Sequence, residues 1–464
     1  MIQEKEKQKP NIIVFFTDQQ RWDTTGVHDN PLGLTPNYDR MAQNGTHVYN
    51  SFTCQPVCGP ARSCLQTGMY ATQSGCYRNG ISLPEGSKTL AHYFREHGFR
   101  TGYIGKWHLA GQDPVPESER GGYEYWLASN VLEYSSDAYD TVMYNNEMKA
   151  VKLPGYRVDA VTDAAIRYID DNQNDPFFLF VSYLEPHHQN HLDNYPAPLG
   201  YNRQNIGNWM PPDLAALGGS AAQHLPGYYG MVRKLDEALG RLMDSLRSLN
   251  LLENTIILFT SDHGNHFKTR NAEYKRSCHD SSIRVPTALV GPGFNGGGRI
   301  HELVSLIDLP PTLLDAAGIP VPAQMQGHSI LPLCRKSGPD TDWDKEIFVQ
   351  ISEDKVARAI RTERWKYSVT AKERNGWHDS GSDVYEEEFL YDLHADPYEL
   401  DNLIGVEWYQ QITEQLRERL LQRMERAGET RPVINASPVR TSAIDRRVEI
   451  HELRDHTINW KYQQ

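Results

Sequence analysis

Asn11-Ile-Ile-Val-Phe-Phe-Thr17, followed at once by Asp18-Gln19-Gln20, is the stretch on which the reading of this chain turns. The run is apolar, β-branched and aromatic without alternation. That pattern belongs to a strand buried on both faces, as in the interior of a parallel sheet. Polar residues placed directly after such a strand fall at the carboxyl edge, where doubly wound sheets bind their ligands. Working outward, helix and strand alternate. Ser87–His97 has an N-cap serine, helical spacing and Gly98 as a stop before the strand-like Arg100–Ile104. The same pairing recurs from Val158–Asp171 into Pro176–Leu184, and from Gly227–Leu249 into Asn254–Thr260. Val285–Val290 is a further strand ahead of the helix-like Ser305–Ala317. This succession predicts an α/β fold, a large mostly parallel sheet sandwiched by helices.

From about Trp343 the texture changes to short strands, Glu346–Gln350, Val356–Arg361 and Trp365–Val369, then an amphipathic helix near Trp408–Ala427. These predict a smaller C-terminal α+β subdomain containing an antiparallel sheet. The expected division is 1–342, 343–427 and a polar extension 428–464, read as a tail or as an arm on a neighbouring subunit, which would make the protein a homo-oligomer. The chain has 464 residues, 47 Lys and Arg against 60 Asp and Glu, and a net charge of −13, which disfavours a nucleic-acid partner. No apolar run approaches the ~20 residues of a membrane span. The charged amino terminus, Met1 to Pro10, does not read as a signal peptide, so a cytoplasmic location is the expectation; an exported chain whose signal had been removed would read the same.

Two strand ends carry the chemistry. Asp18-Gln19 and Asp262-His263 offer two carboxylates, an amide oxygen and an imidazole, a set suited to a hard divalent cation such as Ca²⁺ or Mg²⁺. The plainer alternative is that each Asp caps a helix. Four of the six cysteines crowd into Cys54–Cys76. Their spacings fit no common zinc finger, and buried thiols are a second reading.

A third reading rests on Cys58-Gly-Pro-Ala-Arg62 with Leu65-Gln-Thr67-Gly68, which resembles the signature of the type I, formylglycine-dependent sulfatases of the alkaline phosphatase-like superfamily. The resemblance runs from about Asn11 to Asn402. Gly105-Lys106-Trp107-His108 is similar to the family's Gly-Lys-x-His segment and Glu185-Pro-His187-His188 to its strand-end histidines. Lys275 through Pro286 resembles its lysine block, and Tyr391–Glu399 with Asn402 its carboxy-terminal signature. The chain departs from the family pattern at Gln19, often Asp, at His263, often Asn, at Ala110, often Gly, and at His279-Asp280, often Tyr-Glu.

The resemblance implies that a maturation enzyme oxidises Cys58 to formylglycine, whose hydrate attacks sulfur and then expels sulfate by collapsing to the aldehyde. It implies a metal held by Asp18, Gln19, residue 58, Asp262 and His263, and charge stabilisation by Lys106 and Lys275. Arg62 would hold the formylglycine, His108 would serve as base for the collapse, and His187 would protonate the leaving alcohol. His188 and His279 are candidate substrate contacts. The implied reaction is hydrolysis of a sulfate monoester on a carbohydrate or other small molecule, with the polar, aromatic-rich stretch Gln189–Tyr229 as a candidate sugar site. Phosphonate monoester or phosphodiester hydrolysis is the alternative, and a noncatalytic binder of sulfated ligands a third.

Overall fold

The structure, a computed structural model, describes residues 9–335 and 342–445. Ten strands form the large sheet. In chain order they are Asn11–Thr17 (β1), Thr46–Phe52 (β2), Arg100–Lys106 (β3), Tyr125–Ser129 (β4), Thr141–Tyr144 (β5), Ala150–Leu153 (β6), Phe177–Ser182 (β7), Thr255–Ser261 (β8), Ala288–Val290 (β9) and Gly298–Ser305 (β10). Their spatial order is β10-β2-β9-β8-β1-β7-β3-β4-β5-β6. The centre is parallel: β1 lies between β7 and β8, with Ile13 opposite Leu179 on one side and Ile257 on the other.

Every residue of β1 is buried, as its unbroken apolar run requires. Ile12, Val14 and Phe16 enter one core with the helices Cys58–Thr67, Leu90–Glu96 and Leu309–Ala316. Ile13 and Phe15 enter the other with Pro36–Asn44, Arg157–Asp171 and Ala221–Ser248. Three layers result, helices on each face of one sheet. Thr89, not Ser87, caps the Leu90 helix, through a reciprocal bond with His92. The expected strand at 285–290 shrinks to β9 and runs antiparallel to β2 and β8, since no crossover helix returns the chain to the starting edge.

Glu346–Ile351 (β11), Ala357–Thr362 (β12), Trp365–Thr370 (β13) and Val384–Asp392 (β14) form the antiparallel part of a second sheet. Asp401–Asn402 (β15) follows, and the helix Gln410–Arg426 covers one face through Leu416, Leu420 and Met424. The other face, with Ile347, Val349 and Phe389, packs on Phe52, Cys278 and Leu303 of the large unit. The expectation of a free tail after Gly428 is corrected over its described part. Val433–Asn435 (β16) pairs in parallel with β14, and Ile444–Asp445 (β17) pairs with β15, so this stretch completes its own chain's sheets. The remainder of that extension lies outside the described residues.

Candidate active site

The parallel strands of the large sheet deliver their ends to one place. Asp18 and Gln19 leave β1, Lys106 closes β3, His187 follows β7, and Asp262 and His263 leave β8. Gly105 is required by space: its φ is +111°, and a Cβ there would lie 1.9 Å from the Ser182 carbonyl oxygen. Gln19 and His108 both hold left-handed backbone, φ 66° and 62°, a conformation that persists only where surrounding contacts impose it. The helix Cys58–Thr67 presents Cys58 and Arg62, one turn apart, to the same point.

Around the Cys58 sulfur the charges divide. On one side lie Asp18 Oδ1 at 3.5 Å and His263 Nε2 at 3.2 Å. On the other Lys275 Nζ donates to Sγ at 2.7 Å and lies 3.2 Å from His187 Nε2. One ligand atom each from Asp18, Cys58, Asp262 and His263 lies within 4.8 Å of all the others, and all four residues are buried. His263 Nδ1 donates to the Gly264 carbonyl at 2.9 Å, which leaves the Nε2 lone pair facing the cluster. The donor set fits a divalent cation. Gln19 stands beside it, its backbone N–H on Asp262 Oδ1 at 2.9 Å and its Oε1 3.4 Å from His188 Nδ1; its Nε2 is sealed without a partner.

Arg62 braces this arrangement. Its guanidinium donates to Asp18 Oδ2 at 2.9 Å, Asp262 Oδ2 at 3.3 Å, the Lys106 carbonyl at 2.8 Å and Ser182 Oγ at 2.7 Å. Lys106 Nζ lies 2.8 Å from both Asp18 Oδ2 and Glu133 Oε1. Burial alone would raise the Asp18 carboxyl, but Lys106, His187, Arg62 and Lys275 outweigh it and hold it well below the usual range. Asp262 goes the other way, to about 6, because burial and the neighbouring Asp18 both oppose its charge. A cation held by these carboxylates would relieve that repulsion. The Cys58 thiol is lowered to about 7: burial and Asp18 push it up, and Lys106, Lys275 and His263 more than offset them.

Burial, with Lys275 and Lys106 nearby, holds His187 neutral; its Nδ1 donates to the His188 carbonyl at 2.6 Å, so Nε2 accepts from Lys275. His188 stacks on His187 at 4.4 Å and is lowered to about 3 by burial first and Lys275 second. His108 is lowered to about 4 by burial and Lys106. His279 is directed elsewhere. Its ring nitrogens lie 3.2 Å from Ser277 Oγ and 3.2 Å from the Tyr391 hydroxyl, and its ring packs on Phe389 in the seam between the two sheets.

Three aromatics of the candidate sugar-lining stretch serve packing. Tyr195, Tyr228 and Tyr229 are buried with Phe267 and Tyr274, where they fasten the 185–200 segment to the Ala221–Ser248 helix. The remaining cysteines are packing residues. Cys54 and Cys64 share an apolar cluster with Tyr70 and Phe348, Cys76 lies in the main core, and burial drives the Cys64 thiol well up. Glu133, which no motif marks, is the residue that sequence reading missed.

A fold with this ring of strand-end residues defines a metal-dependent hydrolase of anionic esters. The sulfatase family profile matches residues 10–319, and that of the C-terminal part of N-sulphoglucosamine sulphohydrolase matches residues 273–426. The chain belongs to the sulfatase family and is a sulfuric ester hydrolase of alkaline phosphatase-like fold. It is 29% identical over 450 residues to the ulvan-active sulfatase of Formosa agariphila, covering 92% of this chain and 83% of that one. With the N-acetylglucosamine-6-O-sulfatase of Bacteroides thetaiotaomicron it shares 25% identity over 502 residues, 90% and 87% of the two chains. A protein solved in complex with its substrate, D-glucosamine-2-N,6-O-disulfate, has the same fold, with a TM-score of 0.76 at 23% identity over 92% of this chain and 99% of that one. The family implies a divalent metal, and the Asp18, Cys58, Asp262 and His263 cluster is where this chain can hold it.

Proposed function

We propose that this sulfatase removes a sulfate group from a carbohydrate ester, with formylglycine, made from Cys58 by a maturation enzyme, as nucleophile and Ca²⁺ as its metal. The observation that carries the reading is the position of residue 58 between acids and bases, 2.7 Å from Lys275 Nζ and 3.2 Å from His263 Nε2. A nucleophile for an anionic ester needs one side that lowers its own pKa and another that accepts the charge being transferred. The printed names of the relatives, which act on ulvan and on N-acetylglucosamine 6-O-sulfate, support a saccharide as the leaving group.

Asp18, Asp262, His263 and the Gln19 amide would hold the cation, and their irregular mixed set suits the flexible coordination of Ca²⁺ better than the strict octahedron of Mg²⁺. Bound, the cation supplies acidity to a hydroxyl on residue 58 and neutralises sulfuryl charge. Arg62 keeps both acids in register. Lys275 and Lys106 supply positive charge to the sulfuryl oxygens. His187 starts neutral, and the negative charge of a sulfate seated against Lys275 raises its basicity, so it carries a proton to the departing sugar oxygen. His108 takes the proton from the residue 58 hydroxyl as sulfate leaves. His188, stacked behind His187 and 4.4 Å from the Tyr274 ring, forms part of the wall beside the leaving group.

The test is ion-chromatographic sulfate release from a panel of sulfated saccharides and aryl sulfates, run beside phosphonate esters, with matured protein and Cys58→Ala. Cys58-dependent release from a saccharide supports the reading. Turnover of phosphonates alone supports the phosphonate hydrolase. Silence throughout, with residue 58 recovered as cysteine after co-expression with a maturation enzyme, supports the binding protein.

A further inference from the structure

Glu133 sits on a four-residue helix, Leu132–Ser135, between β4 and β5, and only 2% of it is exposed. Its Oε1 takes Lys106 Nζ at 2.8 Å and lies 3.8 Å from His108 Nδ1. Its Oε2 is sealed from solvent without a hydrogen bond, and so is His108 Nδ1. The buried, unmet His108 Nδ1 thus lies slightly beyond hydrogen-bonding distance of this carboxylate, 3.8 Å from its Oε1, and the carboxylate has a second oxygen with no donor of its own. A buried polar group left without a partner is costly, and a rotation of the carboxylate that turns Oε2 toward Nδ1 would satisfy both groups. Catalytic hydrogen bonds are commonly long in the ligand-free state and close on binding.

We infer that Glu133 is the positioning carboxylate of His108, holding the imidazole as its Nδ1–H tautomer so that the Nε2 lone pair is left for residue 58. The same carboxylate fixes Lys106 between itself and Asp18. One buried acid thus orients the base and anchors the cation beside it. The logic is that of the carboxylate in a nucleophile–histidine–acid triad, which sets tautomer and orientation and stabilises the imidazolium without itself taking a proton. The inference rests on the sulfatase reading for His108's task, but the tautomer is a property of this chain with cysteine at 58.

The deciding measurement is a long-range proton–nitrogen NMR spectrum of the full chain labelled with ¹⁵N-histidine and carrying unmodified Cys58, with His108→Gln identifying the resonance. Wild type is expected as the Nδ1–H form, and Glu133→Ala is expected to shift His108 toward the Nε2–H form. An Nε2–H ring in wild type, or a tautomer unmoved in Glu133→Ala, overturns the inference. If that variant does not fold, Glu133→Gln replaces it: its amide oxygen still accepts from Nδ1–H, so the tautomer persists while the stabilising charge is gone.

In matured protein Glu133→Gln is expected to lower kcat about 10²-fold and KM in step, leaving kcat/KM within about threefold, because the step served by His108 follows departure of the alcohol. An equal loss in kcat and kcat/KM assigns Glu133 to Lys106 and the transfer step instead of to His108, and overturns the inference. An Nδ1–H ring in a protein that releases no sulfate leaves Glu133's positioning intact and refutes the function.

Discussion

Two of the buried ionic clusters in this molecule differ in what is left over. In the seam between the sheets, Lys366 pairs with Asp280 at 2.6 Å and with Glu399, while Arg361 reaches Asp280 Oδ2 at 3.2 Å and the Asp280 N–H donates to Glu399 Oε2 at 2.8 Å. All four of those carboxylate oxygens are taken. Burial would raise Asp280, but Lys366, Arg361 and Arg284 depress it strongly. Around Cys58 the charges are as deeply buried, yet Asp262 is pushed up to about 6, Glu133 keeps an unmet oxygen, and four ligand atoms converge. Burial of charge is common to both. What marks the site is the convergence of four buried ligand atoms within 4.8 Å of one another, beside a carboxylate oxygen that no protein donor fills.

That contrast is open to direct attack. Cys58→Ala is expected to abolish sulfate release, by ~10⁴-fold or more, with the thermal midpoint little changed, since no small side chain replaces the formylglycine nucleophile. Paired activity and melting measurements check it. Lys275→Ala removes positive charge from the transferring group and is expected to lower kcat by ~10² or more while stability holds. Wild-type turnover in that variant would remove Lys275 from the chemistry.

The seam is expected to behave in the opposite sense. Lys366→Met strands Asp280 and Glu399 and is expected to cost ~3–5 kcal/mol of stability by denaturant titration, while the folded fraction keeps wild-type kcat. Its pH signature follows from the depressed Asp280: the stabilisation is complete above the ordinary carboxylate pKa near 4 and is lost as pH falls below it toward the folded-state value. Lys366→Met is therefore expected to flatten the acid limb of the stability curve. Chelation is the mildest perturbation of the fold. It is expected to stop turnover but to lower stability only by about 2.7 kcal/mol per hundredfold excess of cation over its Kd, read as a shift in thermal midpoint restored by Ca²⁺.

Much of the fold was legible because local pattern and global placement agree. β1 reads as doubly buried and is, with Ile12 and Ile13 in separate cores. The small sheet and its helix were likewise visible from Trp343 onward. Strand β10, the helix Pro36–Asn44 and the short pairing of β16 were not, since a three-residue strand or a half-exposed edge carries little periodicity. At the site, Asp18, Cys58, Arg62, Lys106, His108, His187, Lys275, Asp262 and His263 were named from motifs and converge. His279 sits in the same motif block as Lys275, yet its ring turns into the seam, because neighbours in sequence around a short helix point in different directions.

By itself the sequence determined the layered α/β architecture, the family, and the residue types able to bind a cation and transfer a sulfuryl group, because buried strands and short motifs are local properties of the chain. Tertiary structure alone decided which charges are completed and which are left open. Glu133 lies outside every motif and becomes part of the site only because β3, β4 and the Leu132–Ser135 helix fold it onto Lys106 and His108. Coulombic and hydrogen-bond energies depend on distance in space and on exclusion of water, neither of which is written along the chain.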